Sequence, residues 1–196
     1  MLQSSLKSLW ADGREAVVEQ FEYRELLYQL TKRDLLIRYK QALMGFGWAI
    51  FMPLVNTAVF SVIFTRVAPL HVDVPYPLFA YLGLLTWNFT ASSLRFAVNA
   101  LTGNISLVTK VYCPREVFIV SAVLVTLIDT LVGSIVLVAM MLYYHIGPGW
   151  AIVYLPTVIL VQIAFTAAVG LILSMANLFY RDVKYLFELV VTVCIL

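Results

Sequence analysis

Long apolar stretches alternate with short polar ones along most of this chain, and they predict membrane-spanning helices. Four stretches are apolar, with Arg95 and Asp129 as their only charged residues: 44–65, 77–96, 117–144 and 151–176. A helix rises about 1.5 Å per residue, so each stretch is long enough to cross most or all of a hydrocarbon core of about 30 Å. The pattern therefore predicts an all-α, polytopic membrane protein with four complete spans.

A fifth apolar stretch lies at residues 187–196, the last of the sequence. Only eight residues follow Glu188, and a helix of that length extends about 12 Å, which is too short for a crossing. Its last carbonyl groups would lack partners in lipid. We therefore expect the sequence to end inside a fifth, incomplete span.

The composition agrees with this assignment, and the charges orient it. Hydrophobic residues form 62% of the chain and charged residues 12%, whereas soluble domains carry about 25% charged residues. With the N-terminus inside, every Lys and Arg except Arg66 lies in or beside the cytoplasm. The positive-inside rule therefore predicts a cytoplasmic N-terminus. The net charge of +2 gives no reason to expect a nucleic-acid partner.

The polar region before the first span divides into two parts. Residues 1–22 predict a cytoplasmic tail and residues 23–41 an amphipathic helix, which leaves 44–196 as the transmembrane domain. On a helical wheel of 23–41, the apolar face carries Tyr23, Leu26, Leu27, Leu30 and Ile37, and the opposite face carries Arg24, Lys32 and Lys40. Such a helix fits the membrane interface, with its basic side among lipid phosphates. It either anchors the orientation alone or also contacts a partner domain.

Span one mixes aromatic side chains with polar ones, and this mixture is unusual for a helix that only faces lipid. Polar groups inside a span face other helices or a wet cavity. Two interpretations remain open, namely hydrogen bonds between helices or a lining that touches a polar, ring-shaped substrate. The candidate lining residues are Trp48, Phe51, Asn56, Phe60 and Ser61.

The segment 99–116 is the only sizeable inner loop, and it carries Ile105, Leu107 and Val108 where water is expected. Such an apolar patch favours a lipid surface or a groove on a partner protein.

Asp129 lies near the middle of span three, where a charged group is costly to insert. It should face the helix bundle, bonded to Thr126 or Ser134, as a structural clasp or as a proton carrier. The second role would make the chain an ion-coupled secondary transporter or flippase.

The sequence holds no motif for catalysis or nucleotide binding. It contains no G-x-x-x-x-G-K-[ST], no H-E-x-x-H and no G-x-S-x-G. His71 and His145 have no partner at metal-ligand spacing, and Cys113 and Cys194 are far apart. We expect no catalytic residue and no metal site on this chain, so uphill transport would need a partner or an ion gradient.

Several segments resemble, in order, the ABC-2 permeases that export polysaccharide. These are residues 26–35 (LLYQLTKRDL) and 38–41, then 45–49 with Pro53, 76–79 with 83–87, 104–115, and 177–183 (NLFYRDV). The similarity covers nearly the whole chain. It departs at Thr86, where proline is usual, at Cys113, where an aromatic is usual, and at Tyr180, where phenylalanine is common. Family members have six spans, which agrees with a sequence that ends within the fifth.

The resemblance implies the membrane subunit of an ATP-driven ABC exporter in the bacterial inner membrane. Its substrate would be a lipid-linked polysaccharide of the O-antigen, capsule or teichoic-acid type. The permease would pair with itself and bind two cytoplasmic ATPase subunits. ATP and Mg would belong to those subunits, and this chain would carry no cofactor. Spans one and five of both copies would form the channel.

The resemblance also assigns roles to three groups of residues. The amphipathic segment would act as an interface and gate helix through Lys32, Arg33, Asp34, Arg38 and Tyr39. The inner loop would dock on the ATPase through Asn104, Ile105, Leu107, Val108, Pro114 and Arg115. The motif after span four contributes Asn177, Arg181 and Asp182.

Overall fold

The computed structural model describes residues 23–40, 47–66, 74–110, 114–147 and 149–195, and these ranges contain helices and turns without a β-strand. The predicted tail, 1–22, lies outside the described residues. The helices are α1 (Arg24–Tyr39), α2 (Gly47–Arg66), α3 (Tyr76–Gly103), α4 (Ile105–Lys110), α5 (Glu116–Tyr143), α6 (Leu155–Phe179) and α7 (Val183–Ile195), with a 3₁₀ turn at Trp150–Tyr154. The all-α class is therefore confirmed for the described part of the chain.

Two of the described helices are long and apolar enough to cross a membrane. They are Glu116–Tyr143 and Ile152–Phe179, where the second includes most of the 3₁₀ turn. A shorter apolar stretch, Ile50–Ile63, lies within α2. The helix α3 has 28 residues, but its Asn, Ser, Thr and Arg side chains dilute its apolar character. Spans one and two therefore remain predictions.

The predicted spans and the observed helices agree best where apolar residues are continuous. The helix α5 begins and ends within one residue of 117–144. In contrast, α3 continues to Gly103, seven residues past the predicted end of span two, and the inner loop contains the six-residue helix α4. The helix continues past the apolar stretch because Ala97, Ala100 and Leu101 are good helix formers and are buried against the rest of the bundle.

The helix α3 lies at the centre of the fold, packed against α2, α5, α6 and α7. The Tyr81 hydroxyl donates to the Gly133 carbonyl of α5 at 2.8 Å. Gln162 of α6 donates to the Thr86 carbonyl at 3.0 Å, and Arg95 pairs with Glu188 of α7 at 3.1 Å. These polar contacts between helices satisfy groups that would otherwise face an apolar environment.

The helix α6 approaches α3 and α5 closely through a stripe of small residues. A Cβ atom at Gly170 would lie 2.8 Å from the Ala97 Cβ and 3.2 Å from the Ile119 Cγ2. Ala167, Gly170 and Ser174 are small residues at helical spacing, but Ala167 is only half-buried, whereas the adjacent Thr166 is fully buried. Thr166 satisfies its hydroxyl on the Gln162 carbonyl one turn back, so it packs here without a polar cost.

The helix α1 packs against the bundle through part of the predicted apolar face. Leu30 is buried with Ala97, Leu101 and Phe118, and Tyr23, Leu26 and Leu27 pack around this cluster. Ile37 was predicted on the same face but is 70% exposed. The reason is that the C-terminal half of α1 turns a polar edge toward α5, so the helix is not buried along one continuous apolar stripe.

Candidate functional site

The polar edge of α1 follows α5 for about two helical turns. The Thr31 hydroxyl lies 3.4 Å from the Ser121 hydroxyl, which also approaches the Asp34 carboxylate at 3.5 Å. Eight residues further along α5, Asp129 meets Arg38. The order of these contacts shows that the two helices run in the same direction over this stretch.

Asp129 is held by two neighbouring side chains of α1. The Arg38 Nη1 donates to the Asp129 Oδ2 at 2.5 Å, and the Tyr39 hydroxyl donates to the Asp129 Oδ1. The Asp129 side chain is 16% exposed and that of Arg38 is 32% exposed. The Arg38 guanidinium also lies 4.5 Å from the centre of the Phe96 ring, so charge and aromatic contacts both fix its position.

The partners predicted for Asp129 were wrong. Thr126 donates to the Val123 carbonyl and meets the Ser93 hydroxyl at 2.5 Å, and Ser134 donates to the Leu131 carbonyl. Hydroxyls on a helix satisfy themselves on carbonyls one turn earlier, which removes them as partners for a neighbouring carboxylate.

Burial, reinforced by the hydrogen bond to Asp129, raises the pKa of the Tyr39 hydroxyl above its ordinary value. Tyr39 therefore stays protonated over the physiological range and remains a donor to the carboxylate.

A cavity of about 360 Å³ opens beside this ion pair, between α1, α2, α3 and α5. Its polar lining comes from each of these helices: Arg38, Tyr39, Asn56, Asn88, Ser92, Thr126, Asp129 and Thr130. Trp48, Met52 and Phe89 add apolar surface. Polar groups within an apolar helix bundle face other helices or a water-filled cavity, which makes this void the candidate site.

Only part of the predicted channel lining reaches this cavity. Trp48 and Asn56 line it, whereas Phe51, Phe60 and Ser61 do not. The Phe51 ring packs edge-on against Trp48, with ring centres 5.8 Å apart, and is 46% exposed. Whether these five residues line a channel in the assembled transporter is a separate matter and remains a prediction.

The cavity residues on α3 and α5 were missed as a site by sequence reasoning. Asn88 and Ser92 are four residues apart and therefore share one face of α3. That spacing was a usable signal. These residues are far from Arg38 along the chain, so the sequence did not indicate that they share a cavity with it.

The predicted coupling loop is joined to α1 through Asn104. Asn104 separates α3 from α4, and its carbonyl accepts the Leu107 and Val108 amides at 2.9 and 3.0 Å. Its side chain donates to the Ala100 carbonyl at 2.9 Å and accepts from the Arg33 Nη2 at 2.8 Å.

The other residues of the predicted loop differ in exposure. Leu107 and Val108 pack against the Leu30 cluster, whereas Ile105 is 53% exposed. Pro114 is half-buried, and Arg115 is exposed at the start of α5. Ile105 and Arg115 are therefore the more accessible of these five residues.

The remaining predicted residues occupy two surfaces. On α1, Arg33 pairs with Asp34 at 2.7 Å, and Lys32 is exposed beside the Tyr28 ring. After α6, Arg181 and Asp182 are exposed, but Asn177 is buried and donates to the Val98 carbonyl at 2.9 Å. Asn177 thus joins α6 to α3. No group of three or more His, Cys, Asp or Glu side chains suited to a metal occurs within the described ranges.

Comparison with known proteins finds relatives with one shared name. No family model matches the chain. The O-antigen export system permease protein RfbA of Myxococcus xanthus is 31% identical over 171 residues, or 87% of this chain and 65% of that protein. The chain is therefore similar to O-antigen export permeases over most of its own length. Two proteins of the same name from Klebsiella pneumoniae are each 31% identical over 162 residues, covering 82% of this chain and 62% of theirs.

The resemblance inferred from the motifs is therefore confirmed. This permease homologue spans less than two thirds of the length of the relatives it matches. With two helices able to cross a bilayer, the relationship identifies a membrane protein.

Proposed function

We propose that this chain belongs to the membrane-spanning subunit of an ABC exporter that moves a lipid-linked polysaccharide across the bacterial inner membrane. The observation that carries the proposal is its 31% identity to O-antigen export permeases over most of its length. The O-antigen class is the substrate that these relatives' names favour, with capsule and teichoic-acid precursors as related cases. The N-terminus would be cytoplasmic, as the positions of the basic residues indicate.

Energy for transport would come from two ATPase subunits bound on the cytoplasmic side. The Ile105 side chain at the start of α4 is apolar and exposed, so it could insert into a groove on such a partner. Behind it, Asn104 connects to Arg33 of α1, and α1 continues to Arg38 at the cavity. The Asn104–Arg33 hydrogen bond, the helix α1 and the Arg38–Asp129 ion pair would together give a displacement of α4 a physical route to the cavity.

The polysaccharide would pass between two copies of the permease. Trp48, Phe51, Asn56, Phe60 and Ser61 of α2 would contribute to the channel wall together with the fifth span. Aromatic rings pack on the apolar faces of sugars, and amide and hydroxyl groups bond sugar hydroxyls. The α2 helix carries both kinds of side chain, with Trp48 and Phe51 substantially exposed.

The proposal is tested by deleting the gene in its host and measuring surface polysaccharide. We expect the lipid-linked polymer to accumulate inside and the surface polymer to disappear, with both restored by the full-length gene. Normal surface polysaccharide in the deletion strain, without another permease, would overturn the proposal.

A second test addresses the ATPase. The full-length protein should co-purify with an ATPase subunit, and Ile105→Asp should abolish this because it buries a charge in an apolar contact. Asn99→Asp is the matched control, since Asn99 is exposed near the same end of α3 but precedes α4. Equal ATPase recovery with wild type and Ile105→Asp would exclude this docking site.

The alternative is an ion-coupled carrier with Asp129 as its proton site. The contacts to Arg38 and Tyr39 favour a structural clasp, because both oxygens of the carboxylate are engaged by donors of α1 and hold that helix against α5. Asp129→Asn separates the two functions. A carrier would lose transport that depends on a pH gradient, whereas an exporter would keep transport that depends on ATP.

A further inference from the structure

Three polar side chains in the cavity beside Asp129 form no hydrogen bond with any described residue. They are Asn56 of α2 and Asn88 and Ser92 of α3, and all three line the same void of about 360 Å³. Within an apolar bundle, amide and hydroxyl groups without partners are costly unless a polar molecule occupies the space. Their convergence from two helices on one void points to an occupant that forms hydrogen bonds.

The charges around the cavity indicate what kind of molecule this is. Among the described residues of its lining, only Arg38 and Asp129 are charged, and they neutralise each other at 2.5 Å. A phosphate or pyrophosphate group would meet the Asp129 carboxylate as well as the Arg38 guanidinium, with no net attraction. A neutral molecule rich in hydroxyl groups is not repelled by the carboxylate and can form hydrogen bonds with both charged groups.

We propose that this cavity binds one uncharged monosaccharide unit of the exported glycan, and the inference rests on the function proposed above. Its volume lies at the lower end of small-molecule sites, which range over about 300–1,000 Å³. A sugar hydroxyl both donates and accepts. The Asp129 carboxylate can accept, the Arg38 guanidinium can donate, and the amides of Asn56 and Asn88 can do both.

Trp48 supplies the apolar part of the site. It lies at the edge of the cavity, and its contact with Phe51 sets the plane of the indole ring. An aromatic face packs against the C–H side of a sugar ring while the ring's hydroxyls point toward the polar wall. One cavity on each protomer would thus hold a single sugar unit next to the proposed channel wall, because Trp48 and Asn56 belong to both.

The test uses the full-length protein with its ATPase, reconstituted after Cys113, Cys194 and any other native cysteine are replaced by serine. Ser92→Cys and, separately, Asn56→Cys introduce a thiol into the cavity, and a small hydrophilic thiol reagent reports its access. The probes are methyl glycosides of neutral hexoses and 6-deoxyhexoses, each compared with sodium pyrophosphate at equal ionic strength. Asn99→Cys, exposed on α3 and outside this lining, is the control.

We expect at least one glycoside to slow labelling of both cavity thiols about fivefold at about four times its Kd, because only unoccupied sites react. Pyrophosphate should not slow it, and labelling at Asn99→Cys should not change. Protection by pyrophosphate, or no protection by any glycoside at either thiol, would overturn the inference. Export by the same preparation is measured separately. If no glycoside protects the cavity thiols while export is intact, this site is rejected and the proposed function is retained.

Discussion

At the scale of single residues, Asp129 has the clearest role and the least predictable partners. The sequence alone indicates that a carboxylate in the middle of a span should face other helices. Its local neighbours Thr126 and Ser134 are satisfied within their own helix. Arg38 and Tyr39, some 90 residues earlier, take their place. A contact of this kind depends on how α1 docks, and no local spacing encodes it.

We expect Asp129→Leu to destabilise the protein by about 1–3 kcal/mol. The change leaves the Arg38 guanidinium without its carboxylate in a partly buried position, and its 32% exposure limits the cost. The measurement is thermal unfolding of the purified protein in detergent, followed by the loss of the monodisperse peak in size-exclusion chromatography.

The double variant Arg38→Met/Asp129→Leu distinguishes an ion pair from two independent contacts. Replacing both charges with apolar side chains should recover most of the lost stability. Destabilisations that simply add in the double variant would show that the two side chains do not depend on each other.

At the scale of helices, continuous apolar sequence gave accurate boundaries, and small residues indicated close packing. The α5 boundaries and the approach of α6 at Gly170 follow from such local patterns. The length of α3 and the exposure of Ile37 in α1 do not follow from local patterns. Both depend on tertiary neighbours, which decide whether a polar helix end continues and which edge of an amphipathic helix is buried.

Gly170→Ala should destabilise the protein by about 1–3 kcal/mol, because its Cβ would overlap the Ala97 Cβ at 2.8 Å. Gly83→Ala is the matched control, since nothing lies within 4 Å of a Cβ at that helical position. It should leave stability unchanged or raise it by up to about 1 kcal/mol.

The pair Ala97→Gly/Gly170→Ala checks the cause. Removing the Ala97 methyl makes room for the new one, so the pair should be more stable than Gly170→Ala alone. A pair no more stable than that single variant would mean that α6 does not pack on Ala97.

At the scale of the whole molecule, α1 connects the junction of α3 and α4 to the interior cavity. Asn104→Ala removes the Arg33 contact at the junction of α3 and α4. A hydrogen bond to a charged group contributes about 1.5–3 kcal/mol, so we expect polysaccharide exported per ATP hydrolysed to fall roughly tenfold, with the ATPase still bound. Asn99→Ala, one turn earlier on α3, is the control. Unchanged export per ATP in Asn104→Ala would show that this contact does not transmit motion.

The orientation of the molecule can be tested with single cysteines. The proposed topology puts the exposed Arg181 inside and Val74, at the start of α3, outside. In intact cells freed of outer-membrane barriers, a membrane-impermeant thiol reagent should label Val74→Cys and leave Arg181→Cys unlabelled until the cells are opened. The reverse pattern would invert the topology and remove the proposed cytoplasmic surface for the ATPase.

The central position of α3 has a consequence for how the chain is made. This helix leaves the ribosome before α5 and α6, yet its polar groups depend on them: Ser93 meets Thr126, and the carbonyls of Thr86 and Val98 accept from Gln162 and Asn177. If α3 is the predicted second span, a nascent chain that has reached only α4 presents it to the translocon without these partners. Stable integration of α3 should wait for translation of the later helices, so a premature stop before α5 would yield a fragment that the cell degrades.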